Sequence, residues 1–375
     1  MAGLDEAVPT ARALDAPWLR RAWEPLRALR GRDAHAIVLH GAAGIGKKAL
    51  ALEFAAALVC EQPRADGTAC GACSGCRLRA AGNHPDLRVI VPDSLARLRP
   101  ARAIEGADDD EPVPVADGGA DEAGGERKEK RASREILIEQ VRALLDFAHM
   151  ATHRAGLRTI VVAPAEALNA PAANALLKLL EEPAPGTVFV LASDALDQVL
   201  PTIRSRCVLL RVSAPSWEEA QAWLAQQGVG DAAEALAASG GAPWPALEAG
   251  EEAEAAAQLR QLLVGLLAQG PRLTADEVAA RVPRTLDTGS ALRVLARWGW
   301  DLAAAKSAGV VRYHRAQAAA ILRLASTASP AAVVRWLDEL ARHQRSAEHP
   351  FNARLVVEAA MFGYVELWRS SNARS

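Results

Sequence analysis

The chain has few aromatic residues, almost no net charge and no long apolar run. Phe, Trp and Tyr make up only 4% of its 375 residues, and the 9 Trp outnumber the other two types together. Aromatics this scarce leave the cores to Ala and Leu, which favour helix. With 43 basic and 45 acidic residues the formal charge is −2, which excludes bulk attraction to nucleic acid. Any contact with DNA must then come from a local patch or through partners. No apolar stretch reaches the ~18 residues that a spanning helix needs. Met1 to Glu6 also lack the charged-then-apolar pattern of an export signal. The expectation is a cytoplasmic protein with no membrane partner.

Half of the residues are hydrophobic, enough for real cores, and the length points to two or three domains. Near the start, Asp15 to Gly31 reads as a helix with Leu19, Trp23, Leu26 and Leu29 at helical spacing. The apolar run His35 to His40 then leads into Gly41-Ala42-Ala43-Gly44-Ile45-Gly46-Lys47-Lys48, and a helix follows through Leu50, Phe54 and Leu58. Strand, glycine-rich turn and helix form the context of a phosphate-binding P-loop, G-x-x-x-x-G-K, complete from Gly41 to Lys47. Glycines let backbone N–H groups crowd a phosphate at a helix N-terminus, and the lysine adds charge. The next position should carry the Ser or Thr hydroxyl that binds Mg²⁺, but it is Lys48. Two readings stay open for Gly41, Gly44, Gly46 and Lys47: a site that binds nucleotide weakly at best, or a retained turn that binds none. Mg²⁺ and normal hydrolysis are not expected in either.

Cysteine is scarce but bunched: four of the five fall at Cys60, Cys70, Cys73 and Cys76. Four thiolates at this spacing can close a tetrahedral Zn²⁺ shell, with Gly71 and Gly75 easing a tight ligand loop. A full shell leaves no open position, so the metal of this knot, 60–76, should be structural. His84, beside Pro85, reads as a turn histidine. After the strand Leu87 to Val91 the character changes. Residues 93–133 are rich in Ala, Gly, Pro, Asp and Glu, too poor in apolar groups to bury, and read as a disordered acidic insertion.

Order resumes with a helix whose stripe is Leu137, Val141, Leu144 and Leu145. Arg158 to Val162 is a buried strand. In a P-loop ATPase such a strand ends in acids that hold Mg²⁺. Here it runs into Ala163-Pro164-Ala165, and Glu166 comes several positions late. Asn174 to Glu182 forms a helix stopped before Pro183. Another buried strand, Thr187 to Ser193, precedes a loop, Thr202-Ile203-Arg204-Ser205-Arg206-Cys207, whose arginines are placed to reach a phosphate. Repeated β-α units of this kind predict a mostly parallel sheet flanked by helices. Beyond Pro215 the chain turns helical. Ser216 to Glu219 carries a capping pattern ahead of Ala220, Trp223 and Leu224, and Gly240 to Pro243 is a break. Helices then follow at 256–267, 274–282, 289–308, 312–324, 331–344 and 352–368.

The P-loop remnant 41–48, the cysteine knot, Asn174-Ala175-Leu176-Leu177-Lys178-Leu179-Leu180-Glu181-Glu182-Pro183 and Ser205-Arg206-Cys207 together resemble the delta-prime family of bacterial DNA polymerase III clamp-loader subunits, within the AAA+ superfamily. Gamma/tau subunits share the knot and Ser-Arg-Cys but keep Lys-Ser or Lys-Thr and the acids after the strand; Lys48, Ala163 and Pro164 depart from them. The resemblance implies an α/β plus all-α chain: a AAA+ P-loop domain at 1–212, a small helical lid at 213–250 and a helical collar at 251–375 that assembles a heteropentamer. It implies a subunit that does not hydrolyse ATP alone within the polymerase III holoenzyme, a nucleotidyltransferase. Arg206, flanked by Ser205 and Cys207, would be an arginine finger inserted in trans into the ATP site of a neighbouring gamma/tau subunit; the alternative is that Arg206 only pairs with a carboxylate in its own domain. The implied partners are gamma/tau and delta and, through the complex, the sliding clamp and primed DNA. The competing reading is an active gamma/tau-type ATPase.

Overall fold

The computed structural model describes residues 13–30, 34–96, 133–149, 157–248, 251–283, 286–346 and 353–369. The expected insertion at 93–133 lies for the most part outside the described residues; its first four, Asp93–Ala96, form one helical turn. By its contacts the chain divides into two compact units, Met1–Pro215 and Ser216–Ser375.

The first unit follows the order α1 (Pro17–Arg27), β1 (Ala36–His40), α2 (Lys47–Leu58), α3 (Ser74–Ala80), β2 (Leu87–Ile90), α4 (Asp93–Ala96), α5 (Ile138–His149), β3 (Arg158–Val162), α6 (Ala170–Glu181), β4 (Thr187–Ser193), α7 (Pro201–Arg204) and β5 (Val208–Arg211). All five strands are parallel, in the order β2-β3-β4-β1-β5. Because side chains alternate along a strand, Ala36, Val38, Ile160, Val162, Phe189 and Leu191 share one face, packed with α5 and α6. The intervening Ile37, Leu39, Val161 and Val190 are equally buried on the other face, where α2 packs on β3 and β4. A sheet covered on both faces explains the near-continuous apolar runs that mark these strands in the sequence.

Some boundaries shift for local reasons. α1 stops at Arg27, leaving Leu29 in a turn. α5 begins at Ile138; Leu137 N–H donates to Gln140 Oε1 at 3.0 Å, while Ile136, buried, bridges to Leu168. α6 starts four residues before its expected Asn174, because the Asn169 side chain accepts the N–H of Ala172 and Pro171 fits the first turn.

The second unit contains α8 (Trp217–Gln226), α9 (Ala232–Ala238), α10 (Pro243–Glu248), α11 (Glu251–Leu267), α12 (Ala275–Arg281), α13 (Thr288–Ala308), α14 (Ala318–Thr327), α15 (Pro330–Ser346) and α16 (Ala353–Arg369). Its scarce aromatics are concentrated where helices meet. Trp223 stacks on Trp244 at 5.1 Å. Trp298, Trp336 and Tyr364 are buried together, with Trp298 Nε1 donating to Tyr364 Oη at 3.1 Å and Tyr364 Oη to Leu267 O at 2.6 Å. Trp336 Nε1 donates to Ala360 O at 2.7 Å, so each of these three rings satisfies its polar atom. The helix expected at 312–324 begins only at Ala318. Upstream, buried Asp301 of α13 accepts the backbone N–H groups of Arg312, Tyr313 and His314 and faces His314 Nδ1 at 3.0 Å. Anchored to this carboxylate, residues 312–314 run as a loop, and Arg315–Gln317 form a single 3-10 turn that leads into the helix.

Candidate functional site

Gly41, Gly44, Gly46 and Lys47 lie in the connection from β1 to α2, at the carboxyl end of the sheet where parallel α/β folds bind ligands. Gly44 and Gly46 take left-handed φ of 69° and 92°, as this loop shape requires. A Cβ at Gly41 would stand 2.3 Å from Val212 O. Trp18 of α1 secures the loop from behind, its Nε1 donating to Ile45 O at 2.7 Å. The Lys47 side chain is 2% exposed; its Nζ donates to Gly41 O at 2.9 Å and to Ala42 O, and forms an ion pair with Asp194. Asp194 directly follows β4, and its N–H donates to Glu166 Oε1 at 2.8 Å. Glu166 therefore does reach the mouth of the sheet, although it serves Asp194 there. After β3, Ala163 is buried and offers no ligand atom. At the neighbouring end of β1, burial first, then the charges of Arg211 and Lys47, hold His40 below its ordinary pKa.

Thr202–Cys207, expected as a loop, is instead helical at first. Pro201 opens the short α7, which ends at Arg204, and Ser205 and Arg206 occupy the turn before β5. Arg206 Nη1 donates to Thr202 O at 3.0 Å, and Nη2 pairs with Glu181 at 2.5 Å, the two side chains 36% and 48% exposed. Glu181 belongs to the 174–183 stretch, so the structure joins two motifs read separately in the sequence. An exposed pair of this kind is worth about 0–1 kcal/mol and releases easily. None of these Arg206 partners is a P-loop residue. Cys207 is packed against the sheet core, and burial pushes its thiol up to about 11, which makes it unreactive.

The four remaining cysteines converge from the end of α2 and the loop into α3, their sulfurs within 4.8 Å of one another. Cys60–Cys73, Cys70–Cys76 and Cys60–Cys76 are 3.9, 3.8 and 3.6 Å apart. Sulfurs about 2.3 Å from a tetrahedral Zn²⁺ stand about 3.8 Å apart, so the arrangement fits such an ion. Backbone N–H groups of Ala72 and Cys73 point at Cys70 Sγ and hold its pKa down to about 6, as a thiolate ligand requires. Burial instead pushes Cys76 up to about 12, a proton that metal binding would displace. His84 is buried behind the knot, its Nδ1 accepting the N–H of Asp86 at 3.1 Å.

Comparison with known proteins gives this arrangement a family. The family model described as DNA polymerase III, delta subunit, matches residues 26–216, slightly more than half of the chain. The chain belongs to that family. DNA polymerase III subunit delta-prime of Pseudomonas aeruginosa is 38% identical over 231 residues, 60% of this chain and 58% of its own. The delta-prime subunit of Escherichia coli is 30% identical over 213 residues, 56% and 52% of the two chains. The chain thus spans just over half the length of the curated relatives it matches. Among solved structures, a gamma subunit-related protein from Thermotoga maritima covers 93% of this chain and 100% of its own, at 18% identity and a TM-score of 0.41, too low to bear on function. Among the described residues, no helix is long and apolar enough to cross a membrane.

Asp194 is the residue that sequence reasoning missed. It carries no motif, and only its place at the end of a buried parallel strand, where ligands bind, could have drawn attention to it.

Proposed function

We propose that this chain is a clamp-loader subunit of the delta-prime type, which does not hydrolyse ATP itself and completes the ATP site of a gamma/tau neighbour. The observation that carries the reading is the pairing of a P-loop without Mg²⁺ ligands with an exposed arginine. Lys48 stands where the hydroxyl belongs, Ala163 and Pro164 stand where the acids belong, and Lys47 is engaged at home. Arg206, in contrast, is held at the surface by an exposed pair with Glu181 and by a hydrogen bond to Thr202 O, close to it in the chain. A guanidinium is always charged and donates in a planar fork, which suits the developing charge on a transferred γ-phosphate. Such fingers are worth about 10³–10⁵ in rate in GTPases.

In this reading a helical lid at 213–250 is followed by a collar at 251–375 that joins gamma/tau and delta subunits in a heteropentamer. The assembly loads the sliding clamp onto primed DNA. Cys60, Cys70, Cys73 and Cys76 hold a structural Zn²⁺, which ties the end of α2 to α3; with four thiolates it has no open position for chemistry. Metal analysis of protein purified without chelator should find about one Zn per chain; none would remove the site.

The function is tested by assaying the purified chain alone. Mg²⁺-dependent ATP hydrolysis should not rise above background. Robust turnover that Lys47→Ala abolishes would instead make this a gamma/tau-type ATPase.

A further inference from the structure

An ammonium has three N–H donors, and all three of Lys47's are taken. Two partners are the loop's own carbonyls, of Gly41 and Ala42, and the third is the Asp194 carboxylate. Asp194 alone among them carries charge, and it comes from a different strand end. The Lys47 side chain is 2% exposed, whereas that of Asp194 is 46% exposed. The lysine is therefore buried beneath an acid that faces the open mouth of the site. Around the pair, the loop keeps the shape of an anion cradle: Gly44 and Gly46 are left-handed, and Gly46 at the start of α2 offers no side-chain cap. Arg211, paired in register with His40 at the adjacent strand end, adds positive charge to the same rim.

We propose that Asp194 determines ligand choice at this P-loop: on Lys47 its carboxylate takes the place of a nucleotide's phosphate oxygens, and so excludes nucleoside triphosphates. The exclusion has two physical parts. The carboxylate cancels the charge that would attract a triphosphate, and its own charge repels one that approaches. Glu166 supports it by accepting the Asp194 N–H, fixing the backbone from which the side chain reaches Lys47. The proposal rests on the reading of this chain as a subunit that does not turn over ATP, and it assigns a cause for the refusal at its first step, binding.

The test is equilibrium binding of ATP to the full chain by calorimetry, without added Mg²⁺, for the wild type, Asp194→Asn, Asp194→Ala and Asp194→Asn combined with Lys47→Ala. Asp194→Asn keeps the side chain's size and removes its charge, and Asp194→Ala removes both. Both single variants should bind ATP at least tenfold tighter than the wild type, and the double variant should lose the gain. ATP should correspondingly raise the melting temperature of the single variants and leave that of the wild type unchanged, which also checks that each variant is folded. Folded single variants that bind ATP no tighter than the wild type, or a gain that survives Lys47→Ala, would overturn the proposal. Hydrolysis by wild-type protein requires that it bind ATP and would defeat both readings, whereas a wild type that neither binds nor hydrolyses ATP, with folded single variants that gain no binding, would defeat this proposal alone, so the two failures are distinguishable.

Discussion

Glu53 lies on α2 with 7% of its surface exposed, and burial pushes its carboxyl from 4.5 up to about 7 against the opposing pull of Arg79 and Arg64. Because the folded pKa is the higher one, the native state holds a proton between pH 4.5 and 7 that the unfolded state has released. Stability should therefore fall as pH rises through that window and level off above it, a penalty of up to about 3 kcal/mol. Urea unfolding at pH 5 and pH 8 should show Glu53→Gln more stable than wild type at pH 8, with a shallower dependence between the two. An unchanged dependence would mean that Glu53 does not titrate in this range. Gly75 is constrained in a different way. A Cβ there would stand 2.9 Å from Val59 O and 3.3 Å from His84 Nε2, and a backbone oxygen gives way poorly. Gly75→Ala should lower both the melting temperature and the metal content, read by thermal unfolding and metal analysis on the same sample. Glu53 was silent in the sequence, and Gly75 was read there only as easing a tight loop, because the shift of the one and the close contact of the other depend on what packs against them.

Among elements, α13 shows how a long-range contact overrides a local pattern. Residues 312–324 have helical spacing, yet Asp301 draws Arg312, Tyr313 and His314 into a loop. Burial alone would raise the Asp301 pKa, but the His314 ring and the three backbone N–H groups hold it below the usual range. Its contribution to stability is present above its ordinary value near 3.8 and is lost as pH falls below that. Asp301→Ala leaves these donors buried without their acceptor and should cost about 3 kcal/mol at pH 7, measured by denaturant unfolding. A loss below about 1 kcal/mol would show that the loop holds by other contacts. β3 and β4, by contrast, were legible residue for residue, since burial on both faces leaves uninterrupted apolar runs. β5 was not read at all. It is short, it lies at the sheet edge, and Val208 and Leu209 are 40% and 45% exposed. The clustering of Cys60, Cys70, Cys73 and Cys76 was legible because all four lie within one short segment. The Lys47–Asp194 pair was not, because its halves sit on different strand ends far apart in the chain.

At the scale of the whole molecule, the proposed function divides a nucleotide site between chains. The home P-loop keeps its glycine turns but has its lysine engaged by Asp194, while Arg206 stands at the surface on the turn before β5. In the proposed function that arginine acts on the nucleotide of a neighbour. The most direct test is the ATPase of a loader reconstituted with gamma/tau and delta subunits, stimulated by clamp and primed DNA. Arg206→Ala should leave assembly intact by gel filtration and lower the stimulated rate at least about tenfold, with Arg206→Lys rescuing little because an ammonium lacks the planar fork. A fully assembled Arg206→Ala loader that turns over ATP at the wild-type rate would contradict the account.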